Sequence, residues 1–247
     1  MLWLAARDLS DQADLQEVFA AMTALADVSI TMAHSYHHGW LAQRYGEPSG
    51  EESKRAQALI VVAMGKLGGG ELNVSSDIDL IFVYGEEGET CGEPGGRPAG
   101  GSLSNHEFFA LLGKRIIATL GASNADGFVF RVDMRLRPYG DSGPLVASLA
   151  MLENYFFTQA RAWERYAWAK ARAVTGANHD LAALASLVRP FVFRRYLDFV
   201  ALENLRDMHR QVREEVKRRD RENDIKLGPG GIREIEFIAQ VFQLIRG

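Results

Sequence analysis

Two aspartates one residue apart, Asp77 and Asp79, head the apolar run "DIDLIFVYG" (77–85). On a strand, residues i and i+2 share a face, so both carboxylates point one way while Ile78 turns into a core. Such a pair repels itself unless something positive sits between its members. Hard carboxylate oxygens suit Mg²⁺ or Mn²⁺. A third aspartate, Asp133, lies in "GFVFRVDMRLRPYGDSGPL" (127–145). Read as a strand, this segment turns Phe128, Phe130, Val132, Met134 and Leu136 to one side, and Arg131, Asp133, Arg135 and Arg137 to the other. If the two strands are neighbours, the three carboxylates form a cluster able to hold two metals roughly 3.5–4 Å apart. That arrangement stabilises the attacking and leaving oxygens of an in-line displacement at phosphorus.

Upstream stands "MGKLGGGELNVSS" (64–76), whose glycines cost backbone entropy and pack nothing. Gly65, Lys66 and Gly68 allow backbone N–H groups to approach phosphate oxygens closely, and Lys66 adds a charge. The P-loop pattern is absent, because the lysine follows the first glycine and no Ser or Thr follows it; the dinucleotide pattern G-x-G-x-x-G is missing too. Arg131, Arg135 and Arg137 offer planar forks for oxyanions. Pairing with the nearby acids is the competing reading of these arginines.

The elements that must position these groups are legible to different degrees. Residues 10–46 read as one long or two consecutive helices, with Leu15, Val18, Phe19, Met22 and Leu25 at helical spacing and Gly46 at the end. His34, His37 and His38 lack an acidic partner at ligand spacing, which favours packing or exposure over metal binding. "QALIVVAM" (57–64) reads as a strand and 77–85 as a second. The Gly- and Pro-rich stretch 85–103 reads as a mobile connection. Ser104 and Glu107 match a capping box, opening a helix that ends near Gly121. From Ser148 onward the pattern is helical: 148–176, then "DLAALASLV", then about 197–223. "KLGPGG" (226–231) breaks it before a last helix that runs to Gly247, where Gly230 and Gly231 either turn a helix N-terminus toward an anion or form a hinge. The abrupt end of that amphipathic helix suggests a piece of a longer protein.

Acidic residues number 32 against 28 basic ones, so a net charge of −4 gives no general attraction to nucleic acid or anionic membrane. The charged run 206–223 reads as a solvated helix face. One cysteine, Cys91, excludes an internal disulfide and a cysteine metal cluster and fits a reducing, cytoplasmic setting. No apolar stretch approaches the roughly 20 residues that a membrane span needs, and "MLWLAA" lacks the basic start of a leader.

Taken together, G-K-L-G, then S-D-x-D on a strand, then a third aspartate on a later strand resembles the nucleotidyltransferase superfamily with a polymerase-β-type palm. The longer strings "GKLGGGELNVSSDIDLIF", "VDMRLRPYGDSGPL", "WERYAWAKAR" and "IKLGPGGIREIEFIAQVFQLIRG" resemble, more specifically, the glutamine synthetase adenylyltransferase family, from about residue 60 to the end. The stretch 85–103 departs from that pattern.

The resemblance implies an α+β fold: a nucleotidyltransferase domain over 1–176, with a small mixed sheet at about 57–140 and a helix over 148–175, then a helical domain over 177–247. Members of that family carry two such domains, an N-terminal one that removes AMP from a tyrosine of glutamine synthetase by phosphorolysis and a C-terminal one that adds AMP from ATP. The wording here resembles the N-terminal copy. The resemblance further implies Asp77, Asp79 and Asp133 as catalytic metal ligands for two Mg²⁺ ions, with Mn²⁺ as the alternative. Gly65, Lys66, Gly68, Ser76, Arg131, Arg135 and Arg137 would bind nucleotide and phosphate. So would Glu164, Arg165, Lys170 and Arg172, which periodicity alone makes an ordinary charged helix face. The implied partners are adenylylated glutamine synthetase, a PII signalling protein, ADP or ATP, and phosphate, with no nucleic acid and no membrane. Two alternatives stay open, the adenylylating activity and a non-catalytic module that binds nucleotide or PII. Retention of all three aspartates argues against the second.

Overall fold

The computed structural model describes residues 2–92, 100–193, 199–218 and 223–246. The chain opens with α1 (Leu2–Leu9) and α2 (Leu15–Tyr45). The Asp14 side chain caps α2 by accepting the Glu17 N–H at 2.7 Å, so the helix starts four residues after the expected Ser10. By length and composition α2 is long and apolar enough to cross a bilayer, which corrects the expectation that no apolar stretch approaches that length. One face of it is core: Val18, Met22, Ala26, Ile30, Ala33 and Leu41 are buried in the main apolar cluster with Phe108, Leu112 and Ile116, while Leu15, Val28, Met32 and Tyr36 on the same helix are exposed.

Next come β1 (Glu47–Gly50), β2 (Leu59–Ala63), the single turn α3 (Gly65–Gly68), β3 (Ile78–Tyr84), β4 (Gly88–Cys91) and α4 (Asn105–Gly121). β1 and β4 pair antiparallel, so the stretch expected to be a mobile connection holds a strand at 88–91; residues 93–99 of it lie outside the described residues. The expected capping box opens α4, with the Glu107 carboxylate accepting the Ser104 N–H and the Ser104 hydroxyl accepting the Glu107 N–H.

The main sheet continues with β5 (Val132–Asp133) and β6 (Val146–Ser148), followed by α5 (Leu149–Thr158), α6 (Ala162–Trp168), β7 (Arg172–Ala173), α7 (Asn178–Val192), α8 (Phe199–Arg218) and α9 (Ile232–Arg246). β3 pairs antiparallel with β2, and β2 with β7; on its other edge β3 is met in parallel first by β5 and then by β6. Leu59, Val61, Ala63, Ile78, Leu80, Phe82 and Tyr84 turn into the cluster built with α2 and α4. Asp79, Ile81 and Val83 take the opposite face, as period-2 alternation requires.

Two expectations are corrected here. The strand read across 127–137 shrinks to two residues. The Asp133 carboxylate accepts the Arg135 N–H at 2.8 Å, a local turn that competes with ladder pairing, and the chain leaves β3 until Val146. Pro138 lacks an N–H and Tyr139 adopts φ +62, so neither could continue a strand. Phe130 and Met134 are buried as expected, but Phe128 is exposed. The single helix expected over 148–175 is broken into α5 and α6 and then becomes β7.

The chain forms two compact units, one of Met1–Phe157 with Lys170–Leu184, the other of Thr158–Ala169 with Ala185–Gly247. The polypeptide thus passes between units more than once, where the sequence suggested a single passage at 176. In the second unit, the Tyr166 and Phe237 rings lie 5.5 Å apart and His209 meets both Phe237 and the Glu234 carboxylate. Of the helix expected over 197–223, Phe199–Arg218 is observed; 197–198 and 219–222 lie outside the described residues.

Candidate active site

The register of two strands makes the site. Asp79 on β3 is the direct partner of Asp133 on β5, one step on from Ile78 opposite Val132. Both aspartates therefore share a face, and Asp77 stands two residues before Asp79, just ahead of β3. The backbone around them is tied down: the Ile78 N–H donates to Arg131 O at 2.9 Å, and the Met64 N–H donates to Asp79 O at 2.9 Å.

That second bond delivers the chain directly into the glycine turn. Gly65 has φ +55, and a Cβ there would stand 2.8 Å from Asp79 Oδ2. Only glycine both tolerates this conformation and leaves the carboxylate its room. Gly68 is a closer fit still, with 2.1 Å between an added Cβ and Lys170 O. The turn forms one helical turn where the sequence suggested an open loop. Lys66 Nζ reaches Ser76 Oγ at 3.5 Å, and the Ser76 hydroxyl donates to Asn73 Oδ1 at 2.6 Å.

The arginines pair with the acids. Arg131 Nε donates to Asp77 Oδ1 at 2.5 Å while its Nη2 holds Ser75 O at 3.1 Å; its guanidinium lies 5.5 Å from the Phe128 ring centre. Arg135 grips Asp133 with Nε at 2.8 Å and Nη2 at 2.5 Å. The Arg135 hydrogen bonds hold the Asp133 carboxyl below its ordinary range, against the opposing pull of partial burial. Arg137 turns away: its Nη1 donates to Met134 O at 2.9 Å and lies 3.5 Å from Asp141, bracing the turn after β5.

The remaining expected residues are divided between the units. Lys170 and Arg172 lie in the same unit as the aspartates, but on and beside a strand rather than a helix. Lys170 Nζ donates to Glu71 Oε2 at 2.8 Å, and Arg172 Nη2 to Asp27 Oδ1 at 2.9 Å. Glu164 and Arg165 belong to the other unit. There the Glu164 carboxylate accepts the Arg161 N–H at 3.1 Å, and Arg165 donates to Phe191 O and Val192 O, capping the C-terminal end of α7. The N-terminus of α9 meets an anion of its own, since the Gly230 N–H donates to Glu234 Oε2 at 2.8 Å. Glu71, Asn73 and Asp27 were missed by the sequence reading. Asp27 carried a signal, as the only formal charge between Glu17 and Arg44 of an otherwise apolar helix.

Carboxylates are hard oxygen donors and suit a divalent cation in kind. The side chains of Asp77 and Asp133 are at present engaged by arginines. Among the described residues no three Asp, Glu, His or Cys side chains converge as a ready cage.

A small mixed sheet with flanking helices, acidic residues at the head of its central strand and a glycine turn beside them, is the α+β architecture of a nucleotidyltransferase domain. Residues 1–186 match the family described as Glutamate-ammonia ligase adenylyltransferase, and residues 206–247 match that of GlnD PII-uridylyltransferase. The chain is 59% identical over 250 residues to the bifunctional glutamine synthetase adenylyltransferase/adenylyl-removing enzyme of Nitrosomonas eutropha, covering 100% of this chain and 26% of that protein. It is likewise 59% identical over 244 residues to the protein of that name from Chromobacterium violaceum, covering 99% of this chain and 26% of the relative. The corresponding Burkholderia pseudomallei protein is 56% identical over 254 residues, with 99% and 27% covered. The chain belongs to the glutamate-ammonia ligase adenylyltransferase family. It spans about a quarter of the length of these curated relatives.

Proposed function

We propose that this site removes AMP from an adenylylated tyrosine of glutamine synthetase by phosphorolysis, giving ADP and the unmodified enzyme. The in-register placement of Asp79 against Asp133, two residues from Asp77, carries the chemistry. The names of the relatives support the substrate. The wording of "ELNVSSDIDLIF" and "IKLGPGGIREIEFIAQVFQLIRG" supports removal over addition.

In this reading an oxygen of inorganic phosphate attacks the AMP phosphorus, the bond from phosphorus to the tyrosyl oxygen breaks, and its electron pair leaves with the phenolate, which takes a proton from solvent. Phosphate is anionic at neutral pH, so no strong general base is needed, and positioning with charge neutralisation does most of the work. Two Mg²⁺ or Mn²⁺ ions held by Asp77, Asp79 and Asp133 would supply Lewis-acid stabilisation of the oxygens that gain charge. Arg131 and Arg135 exchange their carboxylate partners for phosphate oxygens, for which the guanidinium fork is equally suited. Lys66, held beside Ser76, adds a cation next to the glycine turn. A PII-type protein is the proposed regulatory partner.

The chain is mixed with adenylylated glutamine synthetase, phosphate and Mg²⁺, and ADP is measured. ADP from the parent, reduced at least about a hundredfold by Asp77→Asn, is the expected result. AMP transfer from ATP onto the unmodified synthetase, with pyrophosphate released, would assign the adenylylating direction instead. Nucleotide or PII binding with neither reaction would favour a regulatory module.

A further inference from the structure

We propose that Asp27 of α2 is a positioning residue for this site, acting through Arg172 to hold the glycine turn against Asp79. The proposal rests on the nucleotidyl-transfer reading and changes the part that Lys170 and Arg172 play in it. They fix the turn; they do not bind phosphate.

Arg172 stands opposite Ala63 in the pairing of β7 with β2, two residues before the turn begins at Gly65. Its Nη2 lies 2.9 Å from Asp27 Oδ1 and 3.3 Å from Leu67 O, so one guanidinium ties the long helix to a carbonyl at the C-terminal end of the turn. At the far side, Lys170 Nζ holds Glu71 at 2.8 Å, and Gly68 rests on the Lys170 carbonyl so closely that no Cβ fits between them. The turn is thus gripped at Leu67, Gly68 and Glu71 by residues 170–172, while its first residue, Gly65, forms the wall behind Asp79 Oδ2. β7 is only two residues long, a weak anchor for this clamp without help. Asp27 supplies that help, which accounts for a lone carboxylate in the middle of an apolar helix.

The geometry separates this role from phosphate binding. If Arg172 held phosphate, replacing it would raise KM for phosphate, and replacing Asp27 would do little. If it positions the turn, loss of either partner shifts Asp79 and lowers kcat, since a misplacement on the order of 1 Å can cost about a hundredfold. The two substitutions should then fail to add, because they break one linkage.

The 247-residue chain is compared with Asp27→Asn, Asp27→Glu, Arg172→Ala and the Asp27→Asn/Arg172→Ala double variant. Phosphorolysis is followed against phosphate concentration, and amide hydrogen exchange is followed peptide by peptide. We expect Asp27→Asn and Arg172→Ala each to lower kcat about tenfold or more with KM for phosphate within about twofold, the double variant to match the worse single one, and Asp27→Glu to recover most of the rate. Exchange should quicken over 65–71 and stay unchanged in β3. A large rise in KM confined to Arg172→Ala overturns the proposal, as does exchange that is unaltered at 65–71 or quickened throughout the unit. If the parent forms no ADP, the phosphorolysis reading fails by itself, and the exchange pattern still decides the clamp.

Discussion

Gly65 and Asp79 occupy each other's space: the carboxylate sits where a side chain at 65 would begin. Gly65→Ala forces either the turn or the carboxylate to move and places a non-glycine residue at φ +55, which costs roughly 1–2 kcal/mol. The expected outcome is a loss of at least about tenfold in ADP formation with a modest fall in melting temperature. Full activity in the alanine variant would mean that Asp79 does not need its observed position. At this scale the sequence disclosed residue types and spacing well. The shared face of Asp79 and Asp133 was legible because alternation assigns faces without knowledge of the fold. The partners of Lys170 and Arg172 were not, since Glu71 lies 99 positions away and Asp27 145, and no local pattern encodes such pairings.

Among the elements, those specified by local chemistry came through from sequence. The Ser104 capping box, the β-branched run of β2 and the apolar face of β3 are examples. Ser104→Ala should lower stability by about 1 kcal/mol, read as a shift in the urea midpoint at unchanged slope. Gly68→Ala should cost more, about 2 kcal/mol or above, because both close neighbours of the new Cβ, Lys170 O and Ala63 O, are backbone atoms that cannot swing aside. Thermal unfolding of the two variants side by side checks the order. The elements that sequence misassigned were decided by competition. Alternation favoured a long strand at 127–137, but the Asp133 carboxylate captured the Arg135 N–H and ended the ladder. Helical periodicity favoured one helix over 148–175, but the edge of β2 recruited Arg172 and Ala173 as a strand, with Thr175 bonding Leu59 O and the Val61 N–H. Tertiary pairing of this kind overrides local propensity.

For the molecule as a whole, pH dependence gives a handle on the packing of α2. His34 is mostly buried, and burial first, then the nearby His38, pushes its pKa down to about 4. The unfolded chain therefore binds the proton more readily, and stability falls as pH drops from about 6.5 toward 4. Between pH 7 and 5 this group alone should remove on the order of 2 kcal/mol. A His34→Leu variant should show a shallower decline than the parent in urea unfolding at the two pH values. An identical decline would assign the effect to other groups. The division into two units was the least legible feature, because the passages near 157, 169 and 184 fall within or beside stretches that look continuously helical in sequence.

The far edge of β3 is completed by two short strands that arrive late in the sequence, β5 bringing Asp133 and β6 following it. β2 and β3 are joined by residues 64–77, whereas Asp133 must travel back across 54 residues to meet Asp79. Closing that span costs more entropy than closing the β2–β3 connection, and a two-residue strand returns little for it. The edge that carries Asp133 is therefore expected to assemble after the rest of the sheet and to open before it under stress. In mild denaturant, activity should be lost while α2, α4 and the β2–β3 pair still hold. A chain emerging in order from the ribosome would carry an inert sheet until the segment through Ser148 had joined it.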